Sequence, residues 1–118
     1  MRQNLSRQKV SRREMTNQPQ SFGELLRARR QQRGEPLRVV AAAIKIDSTL
    51  LSKLERGTRF PTEPQIARLA RYFDIAPAEL TARVLADKIQ ALSGNPEIAL
   101  RTAKILRERS AAYGKGKK

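Results

Sequence analysis

Four polar side chains near the middle of this 118-residue chain have the spacing of one helical face. They are Ser48, Thr49, Ser52 and Lys53. Hydroxyl groups donate and accept hydrogen bonds, and a lysine ammonium donates three. Because the sequence has no histidine and no cysteine, imidazole catalysis, thiolate chemistry, disulfides and the usual zinc ligands are excluded. We therefore expect recognition rather than catalysis, with no enzyme activity and no cofactor. A hydrolase that uses only carboxylates is the one enzyme alternative.

The residues around these side chains predict a short helix with well-defined ends. Asp47 suits the N-cap, because its carboxylate can accept a hydrogen bond from the first turn. Ile46 and Leu51 have the spacing of a hydrophobic staple, and Gly57 suits the left-handed residue that follows a helix. Leu51 and Leu54 face inward in this helix, which leaves the polar side chains on the outer face.

The remaining sequence predicts further helices and no strand. Ser21 is expected to cap a first helix over 22–33, and Pro36 to be the first residue of a second helix over 36–43. A capping-box spacing begins the fourth, in which Ile66, Leu69, Ala70 and Phe73 repeat at helical intervals. Pro77 begins a fifth helix and Pro96 a sixth. The fold class is therefore all-α, with a small aliphatic core.

The charge of the chain indicates a polyanionic partner. The formal net charge is +14, the sequence pI is about 11.4, and basic residues exceed acidic ones at both ends and in the middle. Such a chain associates with nucleic acid or with an anionic surface. No apolar run approaches the roughly 18 residues of a membrane span, and no secretory signal is recognisable. We expect double-stranded DNA as partner, no membrane, and a cytoplasmic, nucleoid-associated location.

A family resemblance covers residues 22–80. The segment is similar to the helix-turn-helix domain of the Cro and phage-repressor class, also called the xenobiotic-response-element (XRE) family. The resemblance implies a five-helix lambda-repressor-like domain, here with one extra C-terminal helix and basic tails. Its marks are Gly23-Glu24-Leu25-Leu26-Arg27, Gly34, Ala41, the segment from Leu51 to Gly57, Arg59, Pro61 and Glu79-Leu80.

The resemblance also implies how the polar face would be used. In this family the helix over 48–56 lies in the major groove, and the helix before it crosses the sugar–phosphate backbone. Serine and threonine hydroxyls bond several base edges, and lysine reaches the guanine acceptors. The base-reading residues are then Ser48, Thr49, Ser52 and Lys53. The alternative to a base-reading role, if the helix is considered in isolation, is that these residues form an ordinary solvated face. Three roles are open for Leu50, which could pack in the core, form a dimer contact or contact a thymine methyl group.

Other roles follow from the same resemblance. Phosphate contacts are expected from Arg38, Arg56 and Arg59. The family commonly pairs an arginine at the end of the first helix with the glutamate that ends the recognition helix, which here are Arg30 and Glu55. Two residues depart from the pattern. Leu37 stands where a polar phosphate-binding residue is usual, and Lys45 stands at the turn position that favours glycine.

The sequence also predicts how the chain is divided into segments. We expect a basic disordered arm over 1–20, a DNA-binding domain over 21–86, a helical extension over 87–113 and a basic tail over 114–118. The extension carries apolar stripes that would fold back on the domain, join two protomers into a homodimer or bind a protein partner. The predicted function is a transcriptional regulator, as a repressor. The alternatives are an antitoxin that binds a toxin and represses its own operon, a non-specific nucleoid- or RNA-associated protein, and a protein-interaction adaptor.

Overall fold

The protein is described by a computed structural model, which covers residues 20–117 and gives side chains as far as Ala112. The expected arm, apart from Gln20, and the last residue of the expected tail lie outside the described residues. Within residues 20–117 the chain forms helices and no strand, as the sequence predicts. The helices are α1 (Phe22–Gln32), α2 (Leu37–Ala43), α3 (Ser48–Arg56), α4 (Glu63–Phe73), α5 (Pro77–Ser93) and α6 (Pro96–Lys117).

Local capping signals set most of the helix ends. Ser21 and Glu24 form a reciprocal capping box at the start of α1, and Thr62 and Gln65 form another at the start of α4. Each box satisfies backbone N–H groups that have no partner within the helix. The oxygen of the Asn95 side chain accepts hydrogen bonds from two N–H groups in the first turn of α6. These ends are fixed by residues three or fewer positions apart.

Three helix ends differ from the sequence prediction. The smallest difference is at the end of α1, which stops at Gln32 with Arg33 as its C-cap. Pro36 is the N-cap of α2 and not its first helical residue, because its backbone is extended (φ −72°, ψ 159°). Its carbonyl accepts hydrogen bonds from the N–H groups of Val39 and Val40 at 3.1 and 3.4 Å. α6 continues to Lys117, beyond the position at which the basic tail was expected to begin. Glycine weakens a helix but keeps its backbone donor, so Gly114 and Gly116 need not end one.

The described residues form two units, one ending at Val84 and one beginning at Leu85, so the boundary falls within α5. The first unit has a single aliphatic and aromatic core, to which α1 to α5 all contribute. Its buried residues are Phe22, Leu25, Leu26, Val40, Ala41, Ile44, Leu51, Leu54, Ile66, Leu69, Ala70, Phe73, Leu80 and Val84. The inward positions predicted for α3 and α4 are all among them.

The second unit exposes large apolar side chains. On the end of α5 Leu85 is 53% exposed and Leu92 is 87% exposed. On α6 the exposed apolar residues are Ile98, Leu100, Ile105 and Leu106. Exposed apolar side chains of this density are typical of a surface that contacts another molecule.

Candidate nucleic-acid interface

A tight turn joins α2 to α3. After α2, the N–H of Ile46 donates to the carbonyl of Ala41 at 3.0 Å, which closes the turn against the helix end. Lys45 has φ 64°, the left-handed region that glycine adopts at little cost. Arg68 of α4 donates from Nε to the carbonyl oxygen of Ile44 at 2.9 Å. The angle between the two helices is therefore held by the turn itself and by a side chain of a third helix.

The ends of α3 are fixed by local hydrogen bonds. Asp47 accepts a hydrogen bond at Oδ1 from the N–H of Leu50 at 2.8 Å. At the other end, Gly57 has φ 79°, and the N–H of Thr58 donates to the carbonyl of Lys53 at 3.0 Å. A left-handed glycine followed by an N–H that donates to a carbonyl five residues earlier is a common helix stop. α3 is therefore a short helix whose length and direction are well defined.

The outer face of α3 carries most of the residues expected to read bases. Successive residues of a helix are turned by about 100°, so Thr49, Ser52, Lys53 and Arg56 lie opposite the side that enters the core. That inner side carries Leu51 and Leu54, each 1% exposed. Thr49 and Arg56 are exposed, and Ser52 and Lys53 are half-buried. Ser48, also half-buried, lies in the first turn at the edge of this face.

Leu50 and Leu37 both have structural contacts. Leu50 is half-buried and packs against the core of the first unit, and its N–H is the donor to the Asp47 cap. Leu37, the first residue of α2, also packs against this core. Its apolar side chain offers no hydrogen bond, so any side-chain contact with phosphate at this end of α2 would depend on the next residue, Arg38.

The arginines expected to contact phosphate are all exposed. Arg38 is the second residue of α2, Arg56 is the last residue of α3, and Arg59 lies in the loop that follows. Arg56 makes one long hydrogen bond from Nε to the carbonyl oxygen of Ser52, at 3.4 Å. Within residues 20–112 none of the ion pairs involves these three arginines or Lys53. Their charges are therefore not neutralised by carboxylates of the described residues.

Arg30 and Glu55 connect α1 to the end of α3. Arg30 donates from Nε to Oε2 of Glu55 at 2.7 Å and from Nη2 to Oε1 at 2.9 Å. Nη1 donates to the carbonyl oxygen of Glu35 at 3.0 Å. The side chains are 14% and 6% exposed. The hydrogen bond to Glu55 raises the pKa of Arg30, although burial acts in the opposite direction.

Some positioning contacts were not predicted from the sequence. Tyr72 of α4 donates its hydroxyl hydrogen to Oε1 of Glu35 at 2.9 Å, and the Arg33 guanidinium lies 4.6 Å from the centre of the Tyr72 ring. Arg33 also donates to the Tyr72 carbonyl at 3.0 Å. Together with the bond from Arg68 to the α2–α3 turn, these contacts hold α1, α2 and α4 together. No short-range pattern indicates them, because their partners are 24 to 39 residues apart.

In the part of the chain that the structure describes, no group of three or more acidic side chains is arranged to hold a metal ion. No helix in that part is long and apolar enough to cross a membrane.

Comparison with known proteins identifies the family of this chain. The model of a helix-turn-helix domain family matches residues 21–84. Among solved structures, the chain is similar to the crystal structure of the clp gene regulator ClgR from Corynebacterium glutamicum. The two are 23% identical, with 72% of this chain and 92% of that chain covered and a TM-score of 0.49. No curated protein matches the chain. Because the family model covers more than half of the chain and includes α2, the turn and α3, the protein belongs to the helix-turn-helix domain family of DNA-binding proteins.

Proposed function

We propose that the protein is a sequence-specific transcriptional regulator that binds double-stranded DNA and reads the major groove with α3. The observation that carries the proposal is the division of α3 into two sides. Leu51 and Leu54 are buried, while the opposite side presents hydroxyl groups and an ammonium group with no ion-pair partner among the described residues. A helix of this kind, preceded by a shorter helix across a tight turn, enters the major groove in helix-turn-helix proteins.

The proposed base contacts follow from the chemistry of the outer face. Lys53 would donate to the O6 and N7 acceptors of guanine, and the Thr49 methyl group would contact the methyl group of thymine. The Ser48 and Ser52 hydroxyls would bond to either donors or acceptors on base edges. Since each good base contact discriminates by about 1–3 kcal/mol, a single α3 with small side chains would give modest selectivity. A second α3 on the same DNA would raise it.

The proposed phosphate contacts come from Arg38, Arg56 and Arg59, which are exposed and are not paired with carboxylates of the described residues. Contacts of this kind fix the register of a protein on DNA but carry no sequence information. The formal net charge of +14 would add a strong, salt-dependent attraction to any duplex. The residues that determine sequence selectivity would therefore differ from the residues that provide affinity.

A homodimer completes the proposal. Helix-turn-helix dimers place two recognition helices about one helical turn of DNA apart, at roughly 34 Å. The exposed apolar residues of α5 and α6, among them Leu92 and Ile105, are the proposed dimer contacts. We assign DNA binding to residues 21–86, in a five-helix lambda-repressor-like arrangement, and assembly to residues 87–113. The direction of regulation is proposed as repression, in which the bound dimer blocks polymerase on the nucleoid.

A second candidate function is that of an antitoxin, which would bind a toxin and repress its own operon. The same exposed residues of α5 and α6 favour it, because they would equally suit the surface of a different protein. The two candidates differ in what is found on this surface. A homodimer forms in the purified protein alone, whereas an antitoxin surface stays uncovered until the partner is added.

The proposal is tested by selecting genomic fragments on the purified protein and competing the selected duplex against a scrambled duplex at fixed salt. Specific binding should exceed non-specific binding by about a thousandfold or more. Thr49→Ala and Ser52→Ala should lower this ratio, and Thr81→Ala, an exposed threonine of α5, is the matched control. Equal retention of the selected and scrambled duplexes would instead indicate a basic protein that ignores base order.

A further inference from the structure

Gly23, the second residue of α1, is buried against the last turn of α3. A Cβ atom added at Gly23 would lie 2.5 Å from the carbonyl oxygen of Leu54 and closer still to that of Glu55. Real Cβ atoms essentially never come within 3.0 Å of such atoms. Only a hydrogen atom fits at this point, so the distance between the two helices depends on the glycine.

The oxygens that meet Gly23 belong to the backbone of α3, so they cannot turn aside as a flexible side chain could. A larger residue at position 23 must therefore displace a whole helix. α1 is strongly anchored, because Phe22 and Leu26 are buried beside Gly23. The backbone just before α1 is also held, by a hydrogen bond of 2.6 Å from Nη1 of Arg83 to the carbonyl oxygen of Gln20.

α3 is the helix that would move. It has nine residues, and only Leu51 and Leu54 of these are buried. Its outer side, the proposed DNA-binding surface, carries no buried residue. The Arg30–Glu55 pair also holds the last turn of α3, but it does so through two side chains, which can adjust to a small shift. We therefore expect α3 to be displaced more easily than α1.

The size of the displacement is what matters for DNA recognition. Lengthening a contact from 2.5 Å to 3.0 Å moves the end of α3 by at least about half an ångström. Hydrogen bonds from hydroxyl and amino groups span a range of about half an ångström in all. Short side chains such as Ser52 cannot follow a shift of this size, whereas the long side chains of Arg56 and Arg59 can.

We propose that Gly23 is a positioning residue for sequence recognition, which lets α1 approach α3 closely enough to set the depth of α3 in the major groove. Gly23 itself contacts no base. The inference rests on the proposed function of α3. It adds that Gly23, which lies outside α2, the turn and α3, determines selectivity, and that replacing it leaves non-specific affinity almost unchanged.

The test is Gly23→Ala in the full-length protein. Two duplexes are used, one selected by the wild-type protein from a random-sequence library and one with the same bases scrambled. Affinity for the selected duplex should fall about tenfold or more, which corresponds to the loss of one or two base contacts. Affinity for the scrambled duplex should stay within about twofold, because it depends on charge.

Gly34→Ala is the matched control. Gly34 has φ 64°, so alanine there is strained, but an added Cβ atom would meet nothing within 4 Å. Both variants should lower the melting temperature, yet only Gly23→Ala should change the ratio of the two affinities. If Gly23→Ala does not fold, the ratio is measured in an Asp74→Gly background, which relieves a left-handed residue (φ 56°) at the end of α4.

Each outcome decides a separate question. A wild-type protein with no preference between the duplexes refutes the proposed function. A selective wild type with an equally selective Gly23→Ala variant refutes only the positioning role. Parallel loss of both affinities in a folded variant also refutes it, as does failure to fold in the Asp74→Gly background, because Gly23 would then serve stability alone.

Discussion

Arg30 and Glu55 meet through two parallel hydrogen bonds of 2.7 and 2.9 Å, although 25 residues separate them in the chain. Paired in this way, a guanidinium and a carboxylate fit each other in geometry as well as in charge. The pair stands between α1 and the last turn of α3, the same turn that Gly23 contacts. Two independent contacts, one ionic and one steric, therefore fix the same end of the proposed recognition helix.

Glu55→Ala is expected to destabilise the first unit by about 3–5 kcal/mol, because it leaves the charge of Arg30 nearly buried without its partner. Urea unfolding followed by circular dichroism measures the change. The matched control is Arg101→Ala, which breaks an ion pair whose two side chains are each 73% exposed. That substitution should cost about 0.5 kcal/mol or less. Wild-type stability of Glu55→Ala would show that the pair contributes little.

Lys45→Gly is expected to stabilise the protein by about 1 kcal/mol, since Lys45 holds a left-handed conformation that costs other residues about 1–2 kcal/mol. A higher melting temperature by differential scanning calorimetry would show this. Arg27→Gly, at an exposed position inside α1, should have the opposite effect by about the same amount. If both substitutions lower the melting temperature, the Lys45 backbone is not strained.

The parts of this fold that the sequence predicts are those set by neighbouring residues. Asp47, Thr62 and Gly57 lie beside the groups that they cap, so the ends of α3 and α4 can be read from local spacing. The inward face of α4 follows from helical periodicity in the same way. The fold class follows from both, since no segment has the alternating pattern of a strand.

The parts that could not be predicted depend on residues far apart in the chain. The hydrogen bond from Arg68 to the carbonyl of Ile44 requires α4 to cross the α2–α3 turn, and no sequence pattern specifies that crossing. Gly23 is recognisable as a family mark, but the backbone atoms that exclude a larger residue there lie about 30 positions away. Pro36 gave a misleading signal, because proline suits both the N-cap and the first turn.

Titration of Tyr72 should make the free energy of unfolding depend on pH in the alkaline range. Burial raises the pKa of its hydroxyl, and so does the hydrogen bond to Glu35. The unfolded chain therefore loses this proton first, near pH 10. The stabilisation is complete below that pH and is lost as the pH rises towards the higher folded pKa.

Absorbance at 295 nm follows the Tyr72 titration, with Tyr113→Phe removing the second of the two tyrosines. The midpoint should lie above that of the same protein in urea. Glu35→Gln should lower it, because both effects of Glu35 on the pKa of Tyr72 raise that value. A midpoint equal to that of the unfolded chain would contradict the prediction.

The proposed dimer contacts on α5 and α6 can be tested by introducing negative charge among them. Leu92→Glu combined with Ile105→Glu should convert a wild-type dimer into a monomer, because the partner would have to bury two unpaired carboxylates. Sedimentation equilibrium measures the mass. Gln90→Glu adds a carboxylate at an exposed polar position of α5 and should leave the dimer intact. A wild-type monomer that binds DNA as a single copy would contradict the homodimer and favour a surface for another protein.

The salt dependence and the sequence selectivity of DNA binding distinguish the role proposed for Arg59 from the role proposed for Lys53. Arg59→Ala should weaken binding to selected and scrambled duplexes in the same proportion, and it should reduce the slope of log K against log salt by about 0.9, the value for one phosphate contact. Lys53→Ala should lower affinity for the selected duplex more than for the scrambled one, because a base contact carries sequence information. Arg71→Ala removes an exposed charge on α4 to which no contact is assigned, and it should leave the slope unchanged. If Arg59→Ala and Arg71→Ala alter the slope equally, the effect comes from total charge, and the loop after α3 has no defined place on the DNA backbone.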